Sequence, residues 1–176
     1  PRNDAITYED GDTFDLGGTS IRVVHLPGHT RGHSGFLIEP DGVMFLADVD
    51  LTGFGPYYGD AWSSIDDFER TIQRCRNLCA RMYVTFHHKG IVSSHSELLP
   101  LLDDYQEVIA RRERAILEYL SEPRSLEDLV THRFVYRPHV QLLFADAVER
   151  RSAALHLERL MARRLVTQPA PGLYVA

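Results

Sequence analysis

The segment Pro27-Gly28-His29-Thr30-Arg31-Gly32-His33-Ser34-Gly35 constrains this chain more than any other. It separates two short runs of strand character, Ile21-Arg22-Val23-Val24-His25-Leu26 and Gly35-Phe36-Leu37-Ile38. A connection this rich in glycine can turn sharply and bring its backbone close to a sheet end. A third run, Val43-Met44-Phe45-Leu46, follows the hairpin signal Pro40-Asp41-Gly42 and closes on Ala47-Asp48. A carboxylate that ends an apolar strand is costly unless something pairs with it. Beyond a helical stretch, Tyr83-Val84-Thr85-Phe86 returns to extended structure and leads into His87-His88. The order His29, Asp48, His88 at successive strand ends offers nitrogen and oxygen donors of the kind that hold a divalent cation.

The intervening stretch is amphipathic. Ser64 and Asp67 make a capping-box-like start, and Ile65, Phe68, Ile72, Cys75, Leu78 and Cys79 recur at helical spacing. Strand, helix, strand fits one layer of an α/β sandwich. Cys75 and Cys79 read as thiols among apolar neighbours, not as a disulfide.

From Ser96 onward the pattern is helical, with Leu98, Leu102, Tyr105, Ile109, Ile116 and Leu120 on a long stripe. Ser125 caps a short helix, and Pro138 suits the first turn of another. Ala153, Leu157, Leu160 and Met161 line a further helix that ends near Arg164, and residues 166–175 read as a two-stranded wing. Residues 1–103 carry 8 basic and 15 acidic side chains, net −7, whereas residues 104–176 carry 11 and 10, net +1. That shift marks a boundary, giving domains at 1–103 and 104–176. The acidic first part argues against a broad nucleic-acid surface there. With 44% hydrophobic residues and no apolar run of bilayer length, the chain reads as a soluble cytoplasmic protein.

PGHTRGHSG, then FLADVDL, then FHHKGIV resembles the second half of the metallo-β-lactamase superfamily, close to its glyoxalase II-like hydrolases. The resemblance covers residues 8 to 95 and implies an αββα sandwich with one or two divalent metals, usually zinc, with iron or manganese as alternatives. It implies His29 and His88 as ligands and Asp48 as the metal-bridging, catalytic carboxylate. His87 competes with His88 for the same place in the loop register. The superfamily's upstream H-x-H-x-D-H cluster has no counterpart here. The chain is therefore expected to be the C-terminal part of a longer protein, followed by a small winged-helix domain. A sandwich short of one half is also expected to expose apolar sheet surface and to associate.

Other side chains near this half-site have roles of their own. His33 is expected to orient the site without ligating, and His25 to pack within its strand. Tyr57 and Tyr58, in the Gly-rich loop after Asp48, either line a small-molecule substrate pocket or cover the core end. Lys89 is placed to meet an anionic substrate. The implied reaction is attack of metal-bound hydroxide on an ester, thioester, lactone or phosphoester. A second reading, a nucleic-acid-binding or regulatory protein, rests on Arg150, Arg151, Arg159, Arg163 and Arg164 near the last helix.

Overall fold

The computed structural model describes residues 3–176. Strands β1 (Thr13–Asp15), β2 (Ser20–His25), β3 (Ser34–Glu39), β4 (Val43–Ala47), β5 (Met82–Thr85) and β6 (Ile91–Val92) form one sheet in chain order. Neighbours run antiparallel except β4 and β5, which are parallel. Parallel neighbours need a crossover, and helix α1 (Ile65–Arg76) supplies it. One consequence decides the location of everything that follows. The β2–β3 turn, the segment after β4 and the loop after β5 all emerge at the same end of the sheet.

Helix α1 starts where the sequence reading puts it: the Ser64 hydroxyl accepts from the Asp67 N–H at 3.2 Å. Asp66 and Asp67 lie in its first turn and Arg74 and Arg76 in its last, each sign complementing the helix dipole. Its face of Ile65, Phe68, Ile72 and Cys75 is buried against the sheet and helix α2 (His95–Tyr119). Leu26, Met44, Leu46, Tyr83, Leu98 and Leu102 complete this core. Each such side chain contributes about 1.5–3 kcal/mol on burial. The opposite face of the sheet is also apolar, with Phe36 beside Phe45 and Val84 beside Ile91 in register. Among the described residues no layer covers it, and Phe86 and Ile91 are 67% and 65% exposed.

Helix α2 spans both expected domains. Leu98, Leu102, Tyr105 and Ile109 belong to the sheet core, whereas Ile116 and the following Leu120 join Leu129, Leu157, Leu160 and Val166 in a second core. The expected boundary at 103/104 thus falls inside one continuous helix, and the change of core comes later, between Ile109 and Ile116. The second core is enclosed by β7 (Arg124–Ser125), α3 (Leu126–His132), α4 (Ala145–Ala162), β8 (Thr167–Ala170) and β9 (Leu173–Val175). Strands β7, β9 and β8 pair in that order, so the expected two-stranded hairpin acquires a third strand. Ser125 forms a reciprocal capping box with Asp128.

Pro138 does not open a helix; it lies in a turn, and α4 begins at Ala145. The reason is a buried carboxylate. Glu149, 1% exposed, accepts the backbone N–H groups of Phe134, Val135 and Tyr136 at 2.6–3.2 Å. Those three donors are thereby committed to a side chain. No described helix is long and apolar enough to cross a membrane.

Candidate metal centre

The turn between β2 and β3 is docked on the start of α1. Ser64 N–H donates to the Gly28 carbonyl at 2.9 Å, and the Ser63 hydroxyl to the His29 carbonyl at 2.7 Å. Gly28 has φ +132°, and a Cβ there would sit 2.5 Å from the Phe68 backbone nitrogen. Only glycine meets both conditions without displacement. The turn's other end is held by His25, whose Nε2 lies 2.7 Å from the Arg31 carbonyl.

His29 projects from this turn toward Asp48. Its Nδ1 is 3.1 Å from the Tyr57 carbonyl, an atom that can only accept, so Nδ1 carries the proton. The other ring nitrogen, Nε2, then faces the Asp48 carboxylate, 3.9 Å from Oδ2. An imidazole nitrogen and a carboxylate oxygen are both donors that a divalent cation accepts. Asp48 itself is re-aimed by an irregularity in β4: the pairing register shifts between Phe45 and Ala47, and Ala47 adopts φ +49°. Left-handed backbone recurs nearby at Leu51 and His88, so unusual geometry is concentrated around this sheet end.

His33 occupies a different place. The Asp48 N–H donates to His33 Nε2 at 3.0 Å, which requires that nitrogen to be unprotonated. Nδ1 therefore carries the proton and donates to the Leu26 carbonyl at 2.6 Å. Burial holds the His33 pKa below the usual imidazole value, against the opposing pull of the Leu26 bond and Asp48. With its lone pair committed, His33 fixes the Asp48 backbone and has none left for a metal.

The loop after β5 brings His87, not His88, against the carboxylate. His87 Nε2 is 3.3 Å from Asp48 Oδ1, while the His88 ring stands 6.0 Å from that of His87. The loop register follows from two contacts: Phe86 N–H donates to the Ala47 carbonyl at 2.9 Å, and the Thr85 hydroxyl to the His87 carbonyl at 3.0 Å. Lys89 is exposed on the same loop.

Two imidazoles thus flank one carboxylate. Around a tetrahedral cation with ligand distances of about 2.1 Å, neighbouring donors stand roughly 3.4 Å apart. The separations of 3.3 Å and 3.9 Å bracket that value. The donor types suit a divalent cation, but among the described residues no group of three or more His, Cys, Asp or Glu is placed to hold a metal ion.

The loop from Thr52 to Asp60 contributes its two tyrosines in opposite directions. The Tyr57 ring lies 5.5 Å from that of His29, beside the candidate centre. Tyr58 is buried in the other direction, its hydroxyl 2.7 Å from Arg112 Nη1 and 2.8 Å from His156 Nε2. It joins a network that includes Glu113 and Arg159, with His156 Nδ1 3.8 Å and Arg159 Nε 2.9 Å from Glu113 Oε1. This network was not foreseen. Its signal was present in the sequence, since Arg112 interrupts the apolar stripe between Val108 and Ile116 at helical spacing.

No protein-family model matches the chain. It is 33% identical over 85 residues to the hydroxyacylglutathione hydrolase of Methylococcus capsulatus, covering 48% of this chain and 32% of that protein. It is 28% identical over 170 residues to an atrochrysone carboxyl ACP thioesterase of Pseudocercospora fijiensis, covering 90% of this chain and 44% of the relative. Among solved structures, a metallo-β-lactamase family protein from Thermus thermophilus superposes with a TM-score of 0.79 at 25% identity, over 99% of this chain and 55% of that one. The chain spans less than half the length of these curated relatives. The chain is thus similar in sequence to these hydrolases, and over nearly its whole length it shares the fold of a metallo-β-lactamase family protein.

Proposed function

We propose that this chain supplies the His29, Asp48 and His87 part of the metal site of a hydrolase that cleaves acyl thioesters. The observation that carries the reading is the convergence of two imidazole Nε2 atoms on the Asp48 carboxylate. A bound divalent cation, zinc foremost with iron or manganese as alternatives, supplies Lewis-acid chemistry: it makes water a nucleophile at neutral pH and neutralises charge developing on the substrate oxygen. The chain's own groups prepare that site. The Tyr57 carbonyl sets the His29 tautomer, His33 fixes the Asp48 backbone, and the Tyr57 ring walls one side. Thioesters are favoured among the candidate substrates because a relative aligned with 90% of this chain is a thioesterase.

The test is titration of the metal-free chain with zinc, beside His29→Ala, Asp48→Ala, His87→Ala and His88→Ala. The Asp48 and His87 variants are expected to lose at least about tenfold in affinity and His88→Ala to lose little. Equal binding by all five proteins would overturn the assignment. Thioester cleavage by the zinc-loaded chain, reduced in the same variants, is the expected activity.

The nucleic-acid reading is less well supported. Arg150 pairs with Glu127, Arg159 with Asp66, Glu69 and Glu113, and Arg163 with Glu113. Arg151 is occupied by the carbonyls of Asp60, Ala61 and Ser63. Arginines already neutralised or occupied within the protein release fewer counterions on meeting phosphates.

A further inference from the structure

A cavity of about 650 Å³ opens between α2, the 132–140 segment and the loop that follows Asp48. Its size is that of a small-ligand pocket, roughly 300–1,000 Å³. Four arginines line it, Arg111, Arg112, Arg133 and Arg137, and no acidic residue does. Arg133 is neutralised by Asp146, which leaves Arg111, Arg112 and Arg137 as a net positive lining in a chain of net charge −6. The acids nearby are already engaged. Asp146 pairs with Arg133 at 2.9 Å, and Glu149 is occupied by the backbone of residues 134–136.

Arg112 is the most informative of the four. It is 5% exposed, yet its partners are all neutral: the carbonyls of Pro56 and Phe54 at 2.8 Å and 2.7 Å and the Tyr58 hydroxyl. A buried cation held by neutral oxygens keeps its field directed at whatever enters beside it. Arg111 and Arg137 are exposed at the cavity and have no ion-pair partner among the described residues. The walls between these charges are aromatic. Phe54 and Tyr136 meet with ring centres 5.6 Å apart and planes tilted by 52°, and Phe134 adds to the lining. Guanidinium groups that can grip phosphate in a fork, set among aromatic faces on which a base can stack, match a phosphorylated nucleotide.

Position links this cavity to the candidate metal centre. Phe54 lines it, and Tyr57, three residues on, holds His29 through its carbonyl. Three residues span at most about 11 Å. We propose that the cavity binds the phosphorylated adenine-nucleotide end of a coenzyme A thioester, leaving the acyl–sulfur bond to reach Asp48. This rests on the thioesterase reading above and names the thiol carrier that reading leaves open.

The test is calorimetric titration of the chain with coenzyme A, 3′,5′-ADP, inorganic phosphate and glutathione in EDTA buffer, for wild type, Arg111→Ala/Arg137→Ala and Asp48→Ala. Coenzyme A and 3′,5′-ADP are expected to bind at least tenfold more tightly than phosphate or glutathione. The double arginine variant, altered only at exposed positions, is expected to lose at least tenfold, and Asp48→Ala nothing. Glutathione binding as tightly as coenzyme A would overturn the proposal in favour of a carboxylate-bearing thiol. Phosphate binding as tightly as 3′,5′-ADP would also overturn it, leaving only a free-anion site. Because the buffer removes metal, binding and hydrolysis fail separately. Nucleotide binding without thioester cleavage refutes the metal-site reading alone, and cleavage without nucleotide binding refutes this one alone.

Discussion

Replacing Glu149 by Gln removes one oxygen from a carboxylate that serves three backbone donors, and the cost can be worked from the geometry. Both carboxylate oxygens accept, with Oε1 bonded to Val135 and Tyr136 and Oε2 to Phe134 and Val135, all within 2.6–3.2 Å. A glutamine presents one acceptor and turns an NH₂ group toward at least one N–H. Hydrogen bonds to a charged group are worth about 1.5–3 kcal/mol, and an unmet buried donor costs about 1–3 kcal/mol. The donors are only half-buried, so a net loss of ~3 kcal/mol is the central expectation. For a chain of this size that lowers Tm by about 6–12 °C. The assay is paired thermal and urea unfolding, with Glu158→Gln on the exposed side of the same helix as a control expected within about 0.5 kcal/mol of wild type. The same substitution loosens the 134–136 segment, so coenzyme A affinity should fall along with stability. A Tm within about 2 °C of wild type, with the urea slope unchanged, would refute the argument that this carboxylate organises the segment.

Two further perturbations probe other parts of the structure. Gly28→Ala places a methyl 2.5 Å from the Phe68 backbone at φ +132° and should cost at least ~2 kcal/mol, whereas Gly32→Ala, with open space around its Cβ, should be nearly neutral; equal urea midpoints would contradict the docking of the turn on α1. Burial pulls the pKa of His156 below its ordinary 6.5, outweighing the opposing pull of Glu113. The unfolded chain therefore takes up the proton first, so this contribution to stability is complete above about pH 6.5 and drains as pH falls below it. His33 acts in the same direction, and the depressed pKa of Glu113 adds a loss only below its ordinary 4.5. Urea midpoints should fall between pH 7 and pH 5, and more gently in His156→Gln; an unchanged slope in that variant would exclude His156 as a source.

The strand order around the PGHTRGHSG turn, α1 with its Ser64 cap and the amphipathic face of α2 were legible in the residues, because period and capping are local properties. His29 and Asp48 were nominated because each sits where an apolar run stops, and the fold brings their side chains within 3.9 Å of each other. That His87 is the one lying 3.3 Å from Asp48 was beyond sequence reasoning. It depends on how the 86–90 loop hangs from the Ala47 carbonyl, a contact across parallel strands 39 residues apart. The position of Pro138 was misread for a related reason, since the Glu149 carboxylate that holds residues 134–136 comes from the following helix. The arginine cavity is the largest gap: its charges come from α2 and the 132–140 segment and its aromatics partly from the loop after Asp48. Sequence alone determined most of the strands and helices of the sheet core, because that information lies within a few residues along the chain. Tertiary structure alone decided which distant polar groups share a desolvated space, because their protonation, pairing and field depend on neighbours that only the packed fold brings together.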